Sequence, residues 1–211
     1  LKSANDQTFT LMCTGKKVEM PQSSVIPIPQ GQTAKKGDIL LTWWQSGSGM
    51  QLAIVVDDKN PKQPKVDYLN LNYNDDGSGM ANKNANEQLK ENSFVVLQDG
   101  IWQQGMPVAC KDINEYSQRV EYYEGKVISF TDSKALVEVS MSRLKVYDRA
   151  DCVLLPLKPN FAVGQDVKAI FVSSFNEGYK VKKYDSKLGR VWVEKDGEVK
   201  VKSIFEVASI L

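Results

Sequence analysis

The sequence predicts an all-β protein made of three small β-barrels in series, with an irregular arm before them. Residues 163–211 contain four strand-like runs and a short apolar close, joined by Asn-Glu-Gly, Lys-Leu-Gly and Lys-Asp-Gly turns. Strands of this number and length in so short a segment have the size of one small barrel. The same order of landmarks occurs twice upstream, at a spacing of roughly 55–70 residues, as in a protein built from repeats.

This repeat divides the chain into four predicted parts. They are an N-terminal extended arm and three barrels, which we call units 1, 2 and 3: residues 1–35, 36–98, 104–157 and 161–211. The connections between the units, at 98–104 and 157–161, are short. We therefore expect the units to pack against one another.

The predicted arm lacks a clear hydrophobic period. TFTLMC (residues 8–13) predicts one strand. PQSSVIPIPQGQ (residues 21–32) contains three prolines, which cannot donate hydrogen bonds to a sheet and which favour extended backbone. We expect an irregular segment that leads into unit 1 or packs on it.

The three units share their landmarks in the same order. Each opens with a glycine and an apolar strand: GDILL, GMPVA and GQDVKA. A second strand follows Gly49, Gly125 and Gly178, and an alternating third strand comes next: KVDYLNL, ALVEVS and GRVWVE. Each unit ends in a short apolar segment: SFVVL, DCVLL and IFEVASIL.

The composition is that of an ordinary globular protein. Of the 211 residues, 42% are hydrophobic and 25% are charged, so a packed core is expected. With 27 basic and 26 acidic residues, the net charge of +1 offers no electrostatic basis for binding duplex nucleic acid or an anionic membrane. No apolar run approaches the roughly 18 residues of a membrane span, so no transmembrane segment is expected.

The chain contains no histidine, which excludes several classes of site. Ser-His-Asp and Cys-His catalysis and HExxH metal sites all require imidazole. Zinc would depend on three cysteines without a CxxC pair. We therefore expect no enzyme activity, no metal and no cofactor.

Two of the cysteines, Cys110 and Cys152, stand near the first and last strands of unit 2, and these strands are usually neighbours. A disulfide between them and a pair of buried thiols are both open, with buried thiols as the preferred interpretation. The Asn-, Gln- and Ser-rich composition and the first residue, Leu1, favour a bacterial protein outside the cytoplasm.

Four stretches of unit 3 match a known pattern: GQDVKA (164–169), EGYKV (177–181), VWVE (191–194) and the closing residues 201–207. In this pattern unit 3 resembles the Tudor and SH3-like small-barrel superfamily. The likeness covers unit 3 well, unit 2 fairly and unit 1 only through its strands. Because the superfamily hosts many functions, the resemblance implies fold more than activity.

Tudor-type modules can bind methylated lysine or arginine in a cage of aromatic rings, whose faces attract a cation. The resemblance implies Phe171, Phe175, Tyr179 and Trp192 as the matching positions. Lys195 stands where the family often has an aromatic residue, and its charge would repel a cationic ligand. Packing in a core or an interface is the preferred interpretation of these rings, because a small barrel needs aromatic area to fill its interior.

Trp43 and Trp44 are a further candidate for ligand contact. Adjacent residues of a strand face opposite sides, so one indole can enter the core while the other is exposed. An exposed indole beside the loop 45–49 could stack on a sugar, a base or a proline of a partner. Packing against a neighbouring unit or the arm is the preferred alternative.

These observations predict a binding or scaffolding protein without enzymatic activity. Its ligand would be a protein segment or a glycan, held in grooves between the barrels or by the loops 45–49, 74–92 and 111–118. The alternative is nucleic-acid binding through the lysines of residues 180–183, with nearby aromatic rings stacking on bases. The net charge near zero argues against nucleic acid.

Overall fold

The computed structural model describes residues 2–5, 8–13, 15–47, 49–69, 86–114, 116–139 and 143–211. Over these residues the protein is all-β, as predicted: antiparallel strands are interrupted by two 3₁₀ turns, at Gln22–Ser24 and Arg149–Asp151. Among the described residues, no helix has the length and apolarity needed to span a membrane.

The N-terminal segment is more regular than the sequence predicts. It forms a three-stranded antiparallel sheet of β1 (Lys2–Asn5), β2 (Thr8–Cys13) and β3 (Lys16–Pro21). Only β2 has an apolar pattern that predicts a strand. In β3, KKVEMP, only Val18 and Met20 alternate with polar residues, and the strand is largely exposed.

Unit 1 is a five-stranded antiparallel sheet. Its strands are β4 (Ile39–Trp43), β5 (Met50–Asp57), β6 (Lys65–Tyr68), β7 (Glu87–Gln88) and β8 (Phe94–Val96). They lie in the order β8-β4-β5-β6-β7, so the last strand returns to pair with the first. The predicted loop 74–92 falls largely outside the described residues.

Units 2 and 3 repeat this strand order. Unit 2 contains β9 (Pro107–Ile113), β10 (Val120–Phe130), β11 (Lys134–Val139), β12 (Arg143–Asp148) and β13 (Cys152–Leu154). Unit 3 contains β14 (Asp166–Phe171), β15 (Ser174–Asp185), β16 (Arg190–Lys195), β17 (Glu198–Ser203) and β18 (Val207–Ala208). The last strand of each unit pairs with its first: β13 with β9 and β18 with β14.

The described strands do not form closed barrels, in contrast to the predicted three. Instead, Tyr123 of β10 pairs with Ser174 of β15, which joins units 2 and 3 into one ten-stranded sheet. Closure within a unit is not needed to bury its apolar face, because one hydrophobic core runs through all three units. The division of the chain into the four domains stays a prediction.

The two central strands of unit 1 are buried on both faces. Leu40 and Ala53 face a core of unit 1 itself, together with Tyr68 and Phe94. Their neighbours, among them Leu41, face the large core shared with units 2 and 3. Burial on both sides explains why ILL and LAIVV are continuous apolar runs rather than alternating ones.

Two glycines bring the other units close to unit 1. A Cβ on Gly105, from unit 2, would lie 2.7 Å from Cδ2 of Leu41. A Cβ on Gly189, from unit 3, would lie 2.8 Å from Cδ2 of Leu69. Both glycines also have a positive φ, of +89° and +63°. Each position therefore excludes a side chain for a conformational and a steric reason.

Arg190, next to the second glycine, is the largest fully buried side chain and is only 1% exposed. Its Nη2 donates a hydrogen bond to the carbonyl oxygen of Tyr68 in unit 1, at 2.8 Å. A buried guanidinium is stable only where the protein supplies acceptors in place of water. The contact between units 1 and 3 supplies one.

Lys126 ties unit 2 to unit 1 in a similar way. Its Nζ donates to the carbonyl oxygen of Met50, at 2.7 Å, and pairs with Glu138 at 3.1 Å. The side chains of Lys126 and Glu138 are both largely shielded from solvent, which strengthens their attraction relative to a surface pair.

Glu124, on the same strand, lies among charges of units 2 and 3. Burial raises its pKa to about 8, and repulsion by Glu206 adds to the shift, while Lys126 and Lys202 oppose it. Lys202 in turn pairs with Glu206 at 3.3 Å. Together with Glu138, this junction holds three carboxyl groups and two ammonium groups, so a proton on Glu124 makes its net charge zero.

The glycine contact predicts that Gly189→Ala destabilises the fold by about 2–4 kcal/mol, because the methyl group overlaps Leu69 and the backbone keeps a positive φ. The free energy of unfolding, from urea titration, measures this. Gly197→Ala is the matched control: its φ is +82°, but nothing lies within 4 Å of the added Cβ. Equal losses in the two variants would contradict a steric role for Gly189.

The Glu124 junction predicts that stability falls as pH rises. Between the unfolded pKa of 4.5 and the folded value of about 8, the folded state holds more protons than the unfolded state, so its stability decreases with pH. The loss between pH 6 and pH 9 should be about 1–3 kcal/mol. Glu124→Gln should reduce the dependence of stability on pH. Because the chain contains no histidine, few other groups titrate between pH 6 and pH 9. An unchanged slope in Glu124→Gln would contradict the assignment.

Candidate functional site

A cleft of about 260 Å³ opens on unit 3, where the hairpin between β14 and β15 meets the turn between β16 and β17. It is lined by Phe171, Asn176, Tyr179, Lys195, Asp196, Glu198 and Lys200. Two of the predicted ligand-binding residues, Phe171 and Tyr179, thus lie in one cleft.

The strands of unit 3 place these two rings. Tyr179 lies on β15 opposite Val167 of β14 and is buried at the base of the sheet. Phe171 ends β14 and leaves 55% of its surface exposed. The cleft therefore has one fixed ring in the core and one accessible ring at its mouth.

Two lysines of the chain lie over these rings. Lys195 Nζ is 5.1 Å from the centre of the Tyr179 ring, and Lys200 Nζ is 5.8 Å from that of Phe171. Lys195 also donates to the carbonyl oxygen of Glu177, at 3.0 Å. These ammonium groups already use the attraction that ring faces offer to cations. The cleft is therefore unlike an open cage for a methylated lysine.

The rim of the cleft holds backbone strain. Val172, next to Phe171, has a φ of +62°, a value that β-branched residues avoid, and is 90% exposed. The N–H of Ser173 donates across it to the carbonyl oxygen of Phe171, at 2.8 Å, which makes a three-residue turn. Strained residues such as Val172 cluster at ligand sites. Asp196, on the facing turn, also has a positive φ of +52°, but with Gly197 it forms the Asp-Gly turn that a two-residue hairpin favours.

The other two predicted cage residues do not line the cleft. Phe175 is buried in the core shared by the three units. Trp192 is half-buried, and Nζ of Lys183 lies 4.1 Å from the centre of its ring. Their assignment to a binding site stays a prediction, while their surroundings are those of packed rings.

The sequence did not indicate the polar lining residues. Asn176 lies on β15, and Glu198 and Lys200 lie on β17. Glu198 and Lys200 are two residues apart on β17 and so share a face, but an alternating charged strand usually marks only a solvated surface. Their position opposite Phe171 depends on the curvature of the sheet.

The structure separates the environments of the two adjacent tryptophans. Trp43 is 48% exposed. Trp44 packs on Tyr68, with 6.3 Å between ring centroids, and its Nε1 donates to Oγ of Ser46 at 3.0 Å. Trp43 therefore has the surface needed to contact a ligand, and Trp44 fits the packing alternative. Neither indole lines the cleft of unit 3.

The lysines of residues 180–183 have partners on their own sheet. Lys180 pairs with Asp166 at 2.7 Å, and Lys182 pairs with Glu194. Lys183 lies over Trp192. Two of the three ammonium groups on this face therefore have a carboxylate partner, which lowers its positive potential.

Cys110 and Cys152 lie directly opposite each other on β9 and β13, with their Cα atoms 4.1 Å apart, and a disulfide joins them. The disulfide hypothesis requires the first and last strands of unit 2 to be neighbours, and they are. The bridge links the paired first and last strands of unit 2 covalently, across a sequence separation of 42.

Comparisons with known proteins leave the family open. No family model and no curated protein sequence matches the chain. Among solved structures, 28 chains match, including a crystal structure of Arabidopsis thaliana AGDP1 AGD34. That match has 18% identity and a TM-score of 0.31, and it covers 50% of this chain and 80% of the other. A likeness of this size carries no conclusion about ligand or activity.

The disulfide predicts a specific thiol count. The denatured, unreduced protein should show one reactive thiol, Cys13, and the reduced protein three. Reduction should lower the free energy of unfolding by about 2–4 kcal/mol, because the unfolded chain regains the freedom that the bridge removes. Alkylation followed by intact mass measurement gives the count. Three thiols before reduction would contradict the bridge.

Proposed function

We propose that this protein is a binding module without enzymatic activity, which recognises an extended protein segment through the cleft of unit 3. The observation that supports this most is the accessible Phe171 ring beside the buried Tyr179 ring, at a rim held in strained backbone. An apolar side chain of the partner, such as a proline or an aliphatic residue, would rest between the two rings.

The dimensions of the cleft favour a side chain over a whole small molecule. Pockets for drug-sized ligands usually measure about 300–1,000 Å³, and this cleft is smaller. Asn176, Glu198 and Lys200 offer donors and acceptors around the apolar floor. Groups of this kind suit the backbone amides of a peptide that passes across the cleft.

The proposal of binding rather than catalysis is supported by the residue types in the chain. Without histidine, the chain has no imidazole for general acid–base catalysis at neutral pH. The cleft offers Lys195, Asp196, Glu198 and Lys200 as ionisable groups, and two of these lie over rings rather than beside a nucleophile.

We also propose that the protein works outside the cytoplasm of a bacterium, in the envelope or as a secreted protein. The disulfide between Cys110 and Cys152 supports an oxidising compartment, because such bridges persist mainly outside the reducing cytosol. In such a setting the partner would be a surface protein. A surface glycan is the alternative that the binding experiment separates.

The test is a screen of the intact, oxidised protein on a peptide array rich in proline and aliphatic residues, beside an oligosaccharide array. We expect peptide binding, and we expect Phe171→Ala to weaken it by about tenfold or more, as for an anchor residue at an interface. Ile101→Ala, which changes an equally exposed apolar residue away from the cleft, is the control. Peptide binding that survives Phe171→Ala, or binding to oligosaccharides only, would contradict the proposal.

A further inference from the structure

A second, larger cleft lies between unit 1 and unit 3, beside the connection that precedes unit 3. Its volume is about 560 Å³, within the range of pockets that hold ligands. We call it the lysine groove; it is lined by Lys36, Gly37, Ile54, Leu157, Lys158, Pro159, Asn160, Tyr184, Ser186, Lys187 and Ile204.

The floor of the lysine groove is apolar and fixed in place. Ile54, Leu157 and Ile204 are buried members of the shared core. The Tyr184 hydroxyl donates to the carbonyl oxygen of Pro159, at 2.8 Å, and so holds the connecting segment to unit 3. Burial and the nearby carboxylate of Asp185 raise the pKa of Tyr184, so the phenol keeps the proton that it donates.

The charged side chains that line the groove are all positive. Within the described residues, the lining carries the ammonium groups of Lys36, Lys158 and Lys187 and no carboxylate. Of these, Lys158 has a distant partner, Asp38, at 3.9 Å. Lys36 and Lys187 have no carboxylate within 4.0 Å in the part of the chain that the structure describes. The lysines of residues 180–183 differ, since each has a partner.

Two carboxylates contact the backbone of these lysines. Asp58 accepts a hydrogen bond from the N–H of Lys36, at 3.1 Å, and Asp185 accepts from the N–H of Lys187, at 2.9 Å. These contacts hold the backbone of both lysines at the rim. Their carboxylates lower the local positive potential, but they leave the two ammonium groups without a direct partner.

We propose that the lysine groove binds an acidic peptide segment, with an aliphatic side chain on the floor and flanking Asp or Glu carboxylates at Lys36, Lys158 and Lys187. Charge complementarity selects the acidic residues, and the apolar floor selects a peptide over a free anion. The site is distinct from the cleft of unit 3 and does not depend on it. Because its walls belong to units 1 and 3, a bound segment would bridge them.

The experiment is fluorescence polarisation of the intact, oxidised protein with a labelled Glu-Asp-Leu-Glu-Asp-Leu peptide, at low and at high salt. We expect binding that weakens steeply with salt, and we expect Lys36→Gln with Lys187→Gln to weaken it by about tenfold or more. The control pair is Lys90→Gln with Lys111→Gln, which removes the same charge from exposed positions outside the groove. It should bind as the original protein does.

The remaining arms distinguish the occupants. A Gln-Asn-Leu-Gln-Asn-Leu peptide should bind far more weakly, and Phe171→Ala should leave acidic-peptide binding unchanged, which separates this site from the cleft of unit 3. The proposal would be overturned if the two double variants bound the acidic peptide equally well, if the neutral peptide bound as tightly as the acidic one, or if the acidic peptide did not bind. The peptide assignment would be overturned if a single-stranded oligonucleotide displaced the labelled peptide at a lower concentration than the unlabelled peptide does.

Discussion

Unit 3 is held against unit 1 by a hydrogen bond between the buried guanidinium of Arg190 and the carbonyl oxygen of Tyr68. A charge removed from water must find acceptors within the protein. One acceptor, the carbonyl oxygen of Gly189, belongs to unit 3 itself, whereas that of Tyr68 reaches Arg190 only while unit 3 is seated against unit 1. The positive φ of Gly189 and the lack of a side chain there permit the approach. Apolar contact alone is non-directional, so this polar contact restricts the units to one relative position.

The continuity of the core has a similar basis. The central strands of unit 1 bury both of their faces, one in unit 1 and the other against units 2 and 3. Unit 1 alone would expose a large apolar face to water, which isolated soluble domains rarely do. The three units therefore share one hydrophobic core.

Local pattern predicts most strands, and non-local packing explains what it misses. The alternation of unit 3 predicts β14, β16 and β17 closely, because a hairpin turn specifies its own neighbours. The predicted Asn-Glu-Gly turn at 176–178 is wrong: these residues lie inside β15, and the chain turns at Val172 and Ser173 instead. KKVEMP of β3 has only Val18 and Met20 on its apolar face, a pattern too short to predict a strand, and these residues pair with Leu11 and Phe9 of β2. The backbone pairing of Tyr123 with Ser174 joins residues far apart in sequence, so no local pattern indicates that the sheets of units 2 and 3 become one.

The candidate site shows the same division. Phe171 and Tyr179 are proposed from the sequence only through the resemblance of unit 3 to Tudor-type modules, which also implied Phe175 and Trp192, and these two do not line the cleft. The ammonium groups above them, and the meeting of Lys36 with Lys187 across the groove, follow from how sheets and units curve around each other. Residues from different units come together only in the folded protein, so no spacing between them in the sequence predicts that they are neighbours.

The contacts at Gly105 and Gly189 also bear on how such an assembly can arise. Both contacts are possible because glycine has no side chain, and neither requires a particular side chain at that position. A tandem array of similar sheets could thus become rigid through single changes to glycine at points of contact. The reverse change at either glycine would push a methyl group against a leucine of unit 1 and strain the contact, while the hydrophobic core shared by the units would remain.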